Sequence, residues 1–578
     1  MRIAKLPPVA ACLLAASLCA AQVQHGLRRL DVVGTGSLMS PDLAHAMAAP
    51  GSQAYGLETK RMALESRPEA ATEKPLPARA ALLLPSPVLK PIVRWNTAYG
   101  FDGLNHADSR LASGGNQFSV EPSDQALAVN GEQVLQATND VLAVYSPQGK
   151  LLAGPTAANA FFGLSPEIVR GEPTVYGPYL SDPQVLFDAD TQRWFLIVTE
   201  IDVDPASGKF RHHAGVLIAV SQSADATGKF DLYSLDVTDA GFARCPCLAD
   251  QPLLGINADG LFVSTNQFSL SDASFQTALI LALDKRQLAA GNPGAASSFQ
   301  NLTQAEGPAY SVRPAIATAA QGTEYLLSSL DFAGTSDNRL TVWALNNTQS
   351  LGGSAPDVSL SKVIVRTQTY GQPPEVTQKS GPTPLRDAIN ALGGNEQLAK
   401  LDAGDDRVQQ VWWRDGVLLA ALNTVVLDED HEARAGIAWF AIRPAQKSGT
   451  LSAKVVGQGY VAVNGANVMN PAIAVAPDGT GAMVFNLVGT DYFPSMGYVW
   501  LSEAGAGSLV HLLATGVAPA DGFSGYELFG GDGAARWGDY TAAAVAPDGG
   551  LWLAGGYVPD RPRTELANWG SFVARLAK

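Results

Sequence analysis

Asn470-Pro-Ala-Ile-Ala-Val-Ala-Pro-Asp-Gly479 and Asp539-Tyr-Thr-Ala-Ala-Ala-Val-Ala-Pro-Asp-Gly549 are two copies of one phrase: a polar residue, a short apolar run and an Asp-Gly turn. Asp-Gly and Asn-Gly supply the positive φ angles of tight hairpins. Searching outward for the same phrase finds five more copies. They open at Asp124-Gln-Ala-Leu-Ala-Val129, Asp182-Pro-Gln-Val-Leu-Phe187, Asp250-Gln-Pro-Leu-Leu-Gly255, Arg313-Pro-Ala-Ile-Ala317 and Arg407-Val-Gln-Gln-Val411. Each opening is followed by a second apolar strand and then a third, as in Leu261-Phe-Val-Ser264 and Ala278-Leu-Ile-Leu-Ala282. Units of roughly four strands repeated around an axis make a propeller, so the chain is expected to be all-β and seven-bladed. Two stacked sandwiches would not require one phase throughout. One interval is long, and an insertion at 369–404 accounts for it, with a helix expected around Leu385, Ile389 and Leu392.

The last copy ends one strand short, after Leu551-Trp-Leu553 and Ser571-Phe-Val-Ala-Arg-Leu576. Pro91-Ile-Val-Arg-Trp95 precedes the first copy without a partner. Pairing this N-terminal strand with the last blade would close the ring and remove an exposed edge. The propeller is therefore expected over 92–578.

Composition agrees. Of 578 residues, 57 are Gly and 36 Pro, while only 16% are charged, which suits many strands joined by tight turns. The net charge is −15 and the acidity lies beyond residue 91. Such a surface repels phosphate backbones, so no nucleic-acid partner is expected.

The N-terminus reads as an export signal over residues 1–21, with Arg2 and Lys5 before a short apolar stretch. Val9-Ala-Ala-Cys12 admits a competing lipoprotein signal, although Pro7 and Pro8 shorten its apolar part. No later run is long enough to span a bilayer, so a periplasmic or extracellular monomer is expected. Residues 22–91, rich in Ala and Pro without steady periodicity, read as a disordered leader or spacer. Cys245 and Cys247 are the only cysteines beyond the signal, so in an oxidising compartment they would pair with each other.

The repeat also places polar groups. The start of a first strand and the end of the next lie on the same side of an antiparallel hairpin. These positions hold Asp124 with Asn139, Asp182 with Glu200, Asp250 with Asn266, Arg313 with Ser329, Arg407 with Asn423, and Asn470 with Asn486; the seventh copy offers Asp539 beside Tyr540. A ring of carboxylates, amides and two arginines is expected at one mouth of the channel. One reading is structural, with polar groups satisfying strand-end backbone. The other is a funnel for a polysaccharide or protein ligand or for a cation, with Asp182, Glu200 and Asp250 as its acidic sector. The same three residues are the candidates if paired carboxylates hydrolyse a glycoside.

Other chemistries lack their patterns. The histidines show no metal spacing, and neither a Gly-x-Ser-x-Gly elbow nor a phosphate loop occurs. Asp188-Ala-Asp190 hints at calcium, yet it lacks the rest of the binding loop and reads better as a hairpin turn. No cofactor is expected.

Ser181-Asp-Pro-Gln-Val-Leu-Phe-Asp188, Arg193-Trp-Phe195, Asp250-Gln-Pro252 with Val263-Ser-Thr-Asn266, Arg536-Trp-Gly-Asp-Tyr540 and Asn568-Trp-Gly570 together resemble a family of secreted bacterial propeller proteins. The resemblance spans roughly residues 100–576. It implies export and a propeller, and it implies no reaction. Sialidase-like propellers are a more distant likeness, because their Ser-x-Asp-x-Gly-x-Thr-Trp turn is absent here.

Overall fold

The computed structural model describes residues 24–48, 83–94, 99–238, 245–304, 307–318, 320, 322–330 and 336–576. The export-signal reading falls on residues 1–21, outside the described residues.

The protein is all-β, with short helices confined to connections. Most of its described strands fall into antiparallel units that open in turn with Ala126–Val129, Tyr179–Asp188, Cys247–Ile256, Arg313–Ile316, Val408–Arg414, Ala466–Val475 and Ala542–Val545, the third to fifth being joined through short parallel bridges. Each opening strand pairs with the strand that follows it, as in Val185↔Leu196 and Leu254↔Val263. Consecutive opening strands also contact one another, and Ala542–Val545 contacts Ala126–Val129. Between neighbouring units the faces are dry and apolar: Trp194, Trp343 and Trp552 are each no more than 1% exposed. The arrangement is propeller-like, and among the described residues no sheet closes on itself.

Four opening strands carry a β-bulge near their start. In three, the bulge holds an x-Pro pair: Asp182-Pro183, Gln251-Pro252 and Asn470-Pro471. Asp182, Gln251 and Asn470 have φ of 56°, 48° and 57°, and Asp124 and Ser311 take the same left-handed conformation. Asp and Asn tolerate this region better than most residues. A bulge re-aims the side chain it carries, which turns this position toward the axis.

Two expectations about the N-terminal part need correction. The strand on the last unit is Tyr99–Asn105, which pairs antiparallel with Gly570–Arg575. Residues 92–94 of the stretch expected there instead run parallel to Val510, His511 and Leu512 in the sixth unit. Close approach explains the choice. A Cβ at Gly100 would stand 2.5 Å from the Phe572 ring, and one at Gly103 would collide with the Gln136 amide. The two glycines that make Tyr99–Asn105 a poor strand by propensity are what let it dock.

The spacer reading of 22–91 also fails over its first part. Gln24–Arg29 pairs with Ala295–Gln300 of the third unit, and Asp31–Gly36 with Phe230–Asp236 of the second. An open outer edge offers backbone donors and acceptors to any passing strand, and this segment takes two of them. Residues 49–82 of the spacer lie outside the described residues.

The insertion is ordered onto the body. Its helix is Pro384–Ala391, with Leu385 and Ile389 buried, and Lys400 and Leu401 run parallel to Ala534 and Ala535. Leu392, expected on the buried face, is 86% exposed because the helix has ended by that point. Cys245 and Cys247 are disulfide-bonded, their Cα atoms 4.5 Å apart, at the start of the third unit.

Candidate functional site

Backbone and side chains first knit the units together where the inner strands converge. Asn139 Oδ1 accepts the Asp182 amide N–H at 2.9 Å, Asn266 Oδ1 that of Ser311 at 2.8 Å, and Asn423 Oδ1 that of Asn470 at 2.7 Å. The acceptor thus lies in or just after the second strand of one unit, and the donor is the left-handed residue that opens the next. Asn139 and Asn266 do the work of inter-unit ties, as the structural reading of the ring expects.

The carboxylates behave differently. Oxygens of Asp124, Asp182 and Asp539 lie within 4.8 Å of one another. Asp124 is fully buried and Asp182 only 3% exposed. Asn139 Nδ2 donates to Asp124 Oδ2 at 2.7 Å, and the Asp539 amide donates to Asp124 Oδ1 at 2.8 Å. The Tyr540 hydroxyl donates to Asp182 Oδ1 at 3.2 Å. Arg536 donates to both oxygens of Asp539, at 2.7 and 2.6 Å. Burial first, then the charges of Asp539 and Asp182, hold the Asp124 carboxyl well above the usual carboxylate range. A hard cation would find oxygen ligands here, but it would have to displace donors already in place.

Beside the cluster opens a cavity of about 30 Å³, lined by Asp182, Asp250, Gln251, Tyr310, Asp402, Asp405, Arg407, Arg536 and Asp539 among others. One water needs about 10–15 Å³ of such space. Arg407 grips both oxygens of Asp405, each at 2.7 Å, reaches Gln251 Oε1, and lies 5.0 Å from the Tyr310 ring centre. Tyr310 in turn donates to Asp405 at 3.2 Å. Asp250 is partly exposed to the cavity. Burial among protein atoms, then the charge of Asp182, push its carboxyl up to about 8 although Arg407 opposes this.

Of the residues singled out in the sequence, Asp182, Asp250, Arg407 and Asp539 line this cavity, while Asp124 and Tyr540 back it. Glu200 does not join them. Ser181 is opposite Thr199 in register, so Thr199 occupies the place that Asn266 holds opposite Asp250. Thr199 Oγ1 ties to the Ala249 carbonyl at 2.7 Å. Glu200, one residue on, belongs to the other face of its sheet, where His213 and Asp202 influence it and burial raises its carboxyl. Arg313 also departs: the left-handed residue of its unit is Ser311, and Arg313 lines a second cavity two residues further along. Asp188 proves to be a turn residue bonded to Thr191 and Lys285.

Gln251, Tyr310, Asp402, Asp405 and Arg536 were missed as cavity residues. Asp402 comes from the end of the insertion and Asp405 from just beyond it, a stretch with no counterpart in the other copies. Arg536 stands in the Trp-Gly-Asp-Tyr phrase, where its spacing of three from Asp539 was the available signal.

The proton load of these acids has a measurable consequence. Asp124, Asp250, Glu121 (pushed up to about 7) and the fully buried Glu324 all carry folded-state values above their unfolded ones. Their protonation is complete in both states below the unfolded values. As pH rises from 5 to 8 the unfolded chain ionises first, so stability falls across that window. The melting midpoint should drop accordingly. Asp250→Asn should remove part of the drop, about 1–2 kcal/mol after allowance for its exposure to cavity water. A slope unchanged by the substitution would show that Asp250 titrates normally.

No family model matches the chain, and no curated protein matches its sequence. Solved structures do align with it. A protein of unknown function from Dyadobacter fermentans is 11% identical with a TM-score of 0.29, over 71% of this chain and 97% of that one. An exo-β-1,3-galactanase from Clostridium thermocellum is 11% identical with a TM-score of 0.28, over 66% and 76% respectively. The phage phi92 endosialidase is 8% identical with a TM-score of 0.29, over 85% and 69%. Likenesses this distant say nothing about the chemistry of the present site.

Proposed function

We propose that the chain is an exported, seven-bladed β-propeller closed by Tyr99–Asn105, and that it serves as a non-catalytic binding module. Its axial acidic mouth receives a cation or the cationic group of a polysaccharide or protein partner. The observation that carries this reading is the charge around the cavity: five aspartates against two arginines, with Asp124 behind them. About 30 Å³ admits an ion or the tip of a side chain, whereas a sugar ring is far larger than two waters. Residues 1–21 and the Cys245–Cys247 bridge support export. Among the described residues no helix is long and apolar enough to cross a membrane.

Titration calorimetry with calcium, magnesium and methylguanidinium tests the proposal. At least one should bind, and Asp182→Asn should weaken it about tenfold, the 1.4 kcal/mol expected of one lost charged contact. No binding by any of the three would overturn it.

A second reading, a carbohydrate-active hydrolase, draws on one feature. Asp250, held protonated near neutral pH, stands beside Asp182, and acid and base roles arise where environment drives two carboxyls apart. Reducing sugar released from glycans by the intact protein, and lost in Asp250→Asn, would favour this reading. Glu200→Gln should leave either activity unchanged.

A further inference from the structure

Below the acidic mouth, further along the same inner strands, lies a second cavity of about 30 Å³ with a different charge. Arg313 reaches it and is only 5% exposed. Its Nη2 donates to Gln184 Oε1 at 3.1 Å, while its Nε has no partner. Among the described residues no carboxylate pairs with it. Other buried or part-buried cations are treated otherwise: Arg407 has Asp405, Arg536 has Asp539, and Lys285 has Asp188. A buried guanidinium without a counter-charge is costly, because low-dielectric surroundings neither hydrate nor neutralise it. Burial lowers its pKa only to about 10, so it remains charged at neutral pH.

The other walls are neutral. The amide of Gln409, itself 5% exposed, makes no side-chain hydrogen bond among the described residues. Gln125, Gln410 and Thr541 are committed to Ser123, Ala543 and Asn470. Tyr540 forms the partition, turning its hydroxyl toward Asp182 above. The cavity therefore combines a permanent cation, an uncommitted amide and room for roughly two waters or one small ion.

We propose that this cavity is a binding site for a small monovalent anion, of the size class of chloride, bromide or nitrate, held by Arg313 with Gln409 beside it. The anion supplies the counter-charge that no described side chain offers. It is a separate site from the acidic mouth and takes ligands of opposite charge.

The test uses the full-length protein. Crystals soaked in sodium bromide should show an anomalous bromine peak within hydrogen-bonding reach of the Arg313 guanidinium. In solution, bromide or nitrate should raise the melting midpoint by a few degrees over sodium gluconate at equal ionic strength, since an ion that binds only the folded state stabilises it. In Arg313→Met the three salts should give the same midpoint, and Arg313→Lys should retain part of the difference. Ordered water without bromine in the cavity would overturn the proposal. So would a bromide–gluconate difference that persists unchanged in Arg313→Met. Should that variant fail to fold, the bromine peak in the unaltered protein decides.

Discussion

A chain that begins at residue 106 should fail to give a soluble, cooperatively melting protein, whereas one that begins at residue 99 should give one. The difference is the strand Tyr99–Asn105, which supplies the fourth strand of the seventh unit. Without it, Gly570–Arg575 is left as an open edge beside the first unit. Leu104, fully buried, packs in the same cluster as Leu127, Val134, Trp552 and Val573, so its loss opens the seam between first and last units. Its amide also donates to Gln136 Oε1 at 3.0 Å, and Asp102 accepts from Tyr557 and pairs with Arg561. Domains are stable by only about 5–15 kcal/mol, and losing a core strand removes an amount of that order. The chain from residue 99 should melt several degrees below the full chain, since it lacks the outer strands Gln24–Arg29 and Asp31–Gly36. Light scattering and thermal melts of the three chains measure this. Equal solubility and midpoints for the chain from 106 would mean that the ring does not depend on that strand.

The second large effect is expected at Asp521, which ties the start of the insertion helix to the body. This carboxylate is fully buried. It accepts the Leu385 and Arg386 amides at 2.8 and 3.2 Å, at the start of the insertion helix. It also accepts the Tyr526 hydroxyl at 2.6 Å and pairs with Arg563. Asp521→Ala leaves a largely buried guanidinium and two helix N–H groups without their acceptor, which should cost about 3–5 kcal/mol in urea unfolding. Adding Arg563→Met should recover part of that loss, because the stranded charge goes with it. The insertion also carries Asp402 and Asp405 to the acidic cavity, so Asp521→Ala should weaken cation binding there. A loss below about 1 kcal/mol would show that the insertion holds its position without this tie.

Much of this molecule is readable in one dimension because it repeats. Short apolar runs and Asp-Gly turns recur in one phase, and that recurrence marked the strand openings and the polar residues within them. Asp124, Asp182, Asp250, Arg407, Asp539 and Tyr540 were found this way, and all six stand at the acidic mouth. Where phase slipped by one or two residues, the assignment changed. Glu200 stands one place beyond Thr199 and so faces away, because successive strand side chains point to opposite faces. Arg313 stands two beyond Ser311 and so belongs to the cavity below.

What the chain determined by itself is therefore the all-β class and the repeat, since these follow from local pattern and composition. Tertiary structure alone decided the rest. Propensity favoured Ile92–Arg94 over Tyr99–Asn105 for the last unit, but close packing against Phe572 and Gln136 requires Gly100 and Gly103. The outer edges of the second and third units drew in residues that composition marked as spacer. The insertion brought Asp402 and Asp405 to the axis, and a bulge turned Asp182 inward toward Asp539, more than three hundred residues away in the chain. A repeat announces itself locally, whereas contacts between distant strands, and the charges they leave paired or alone, exist only once the chain has folded.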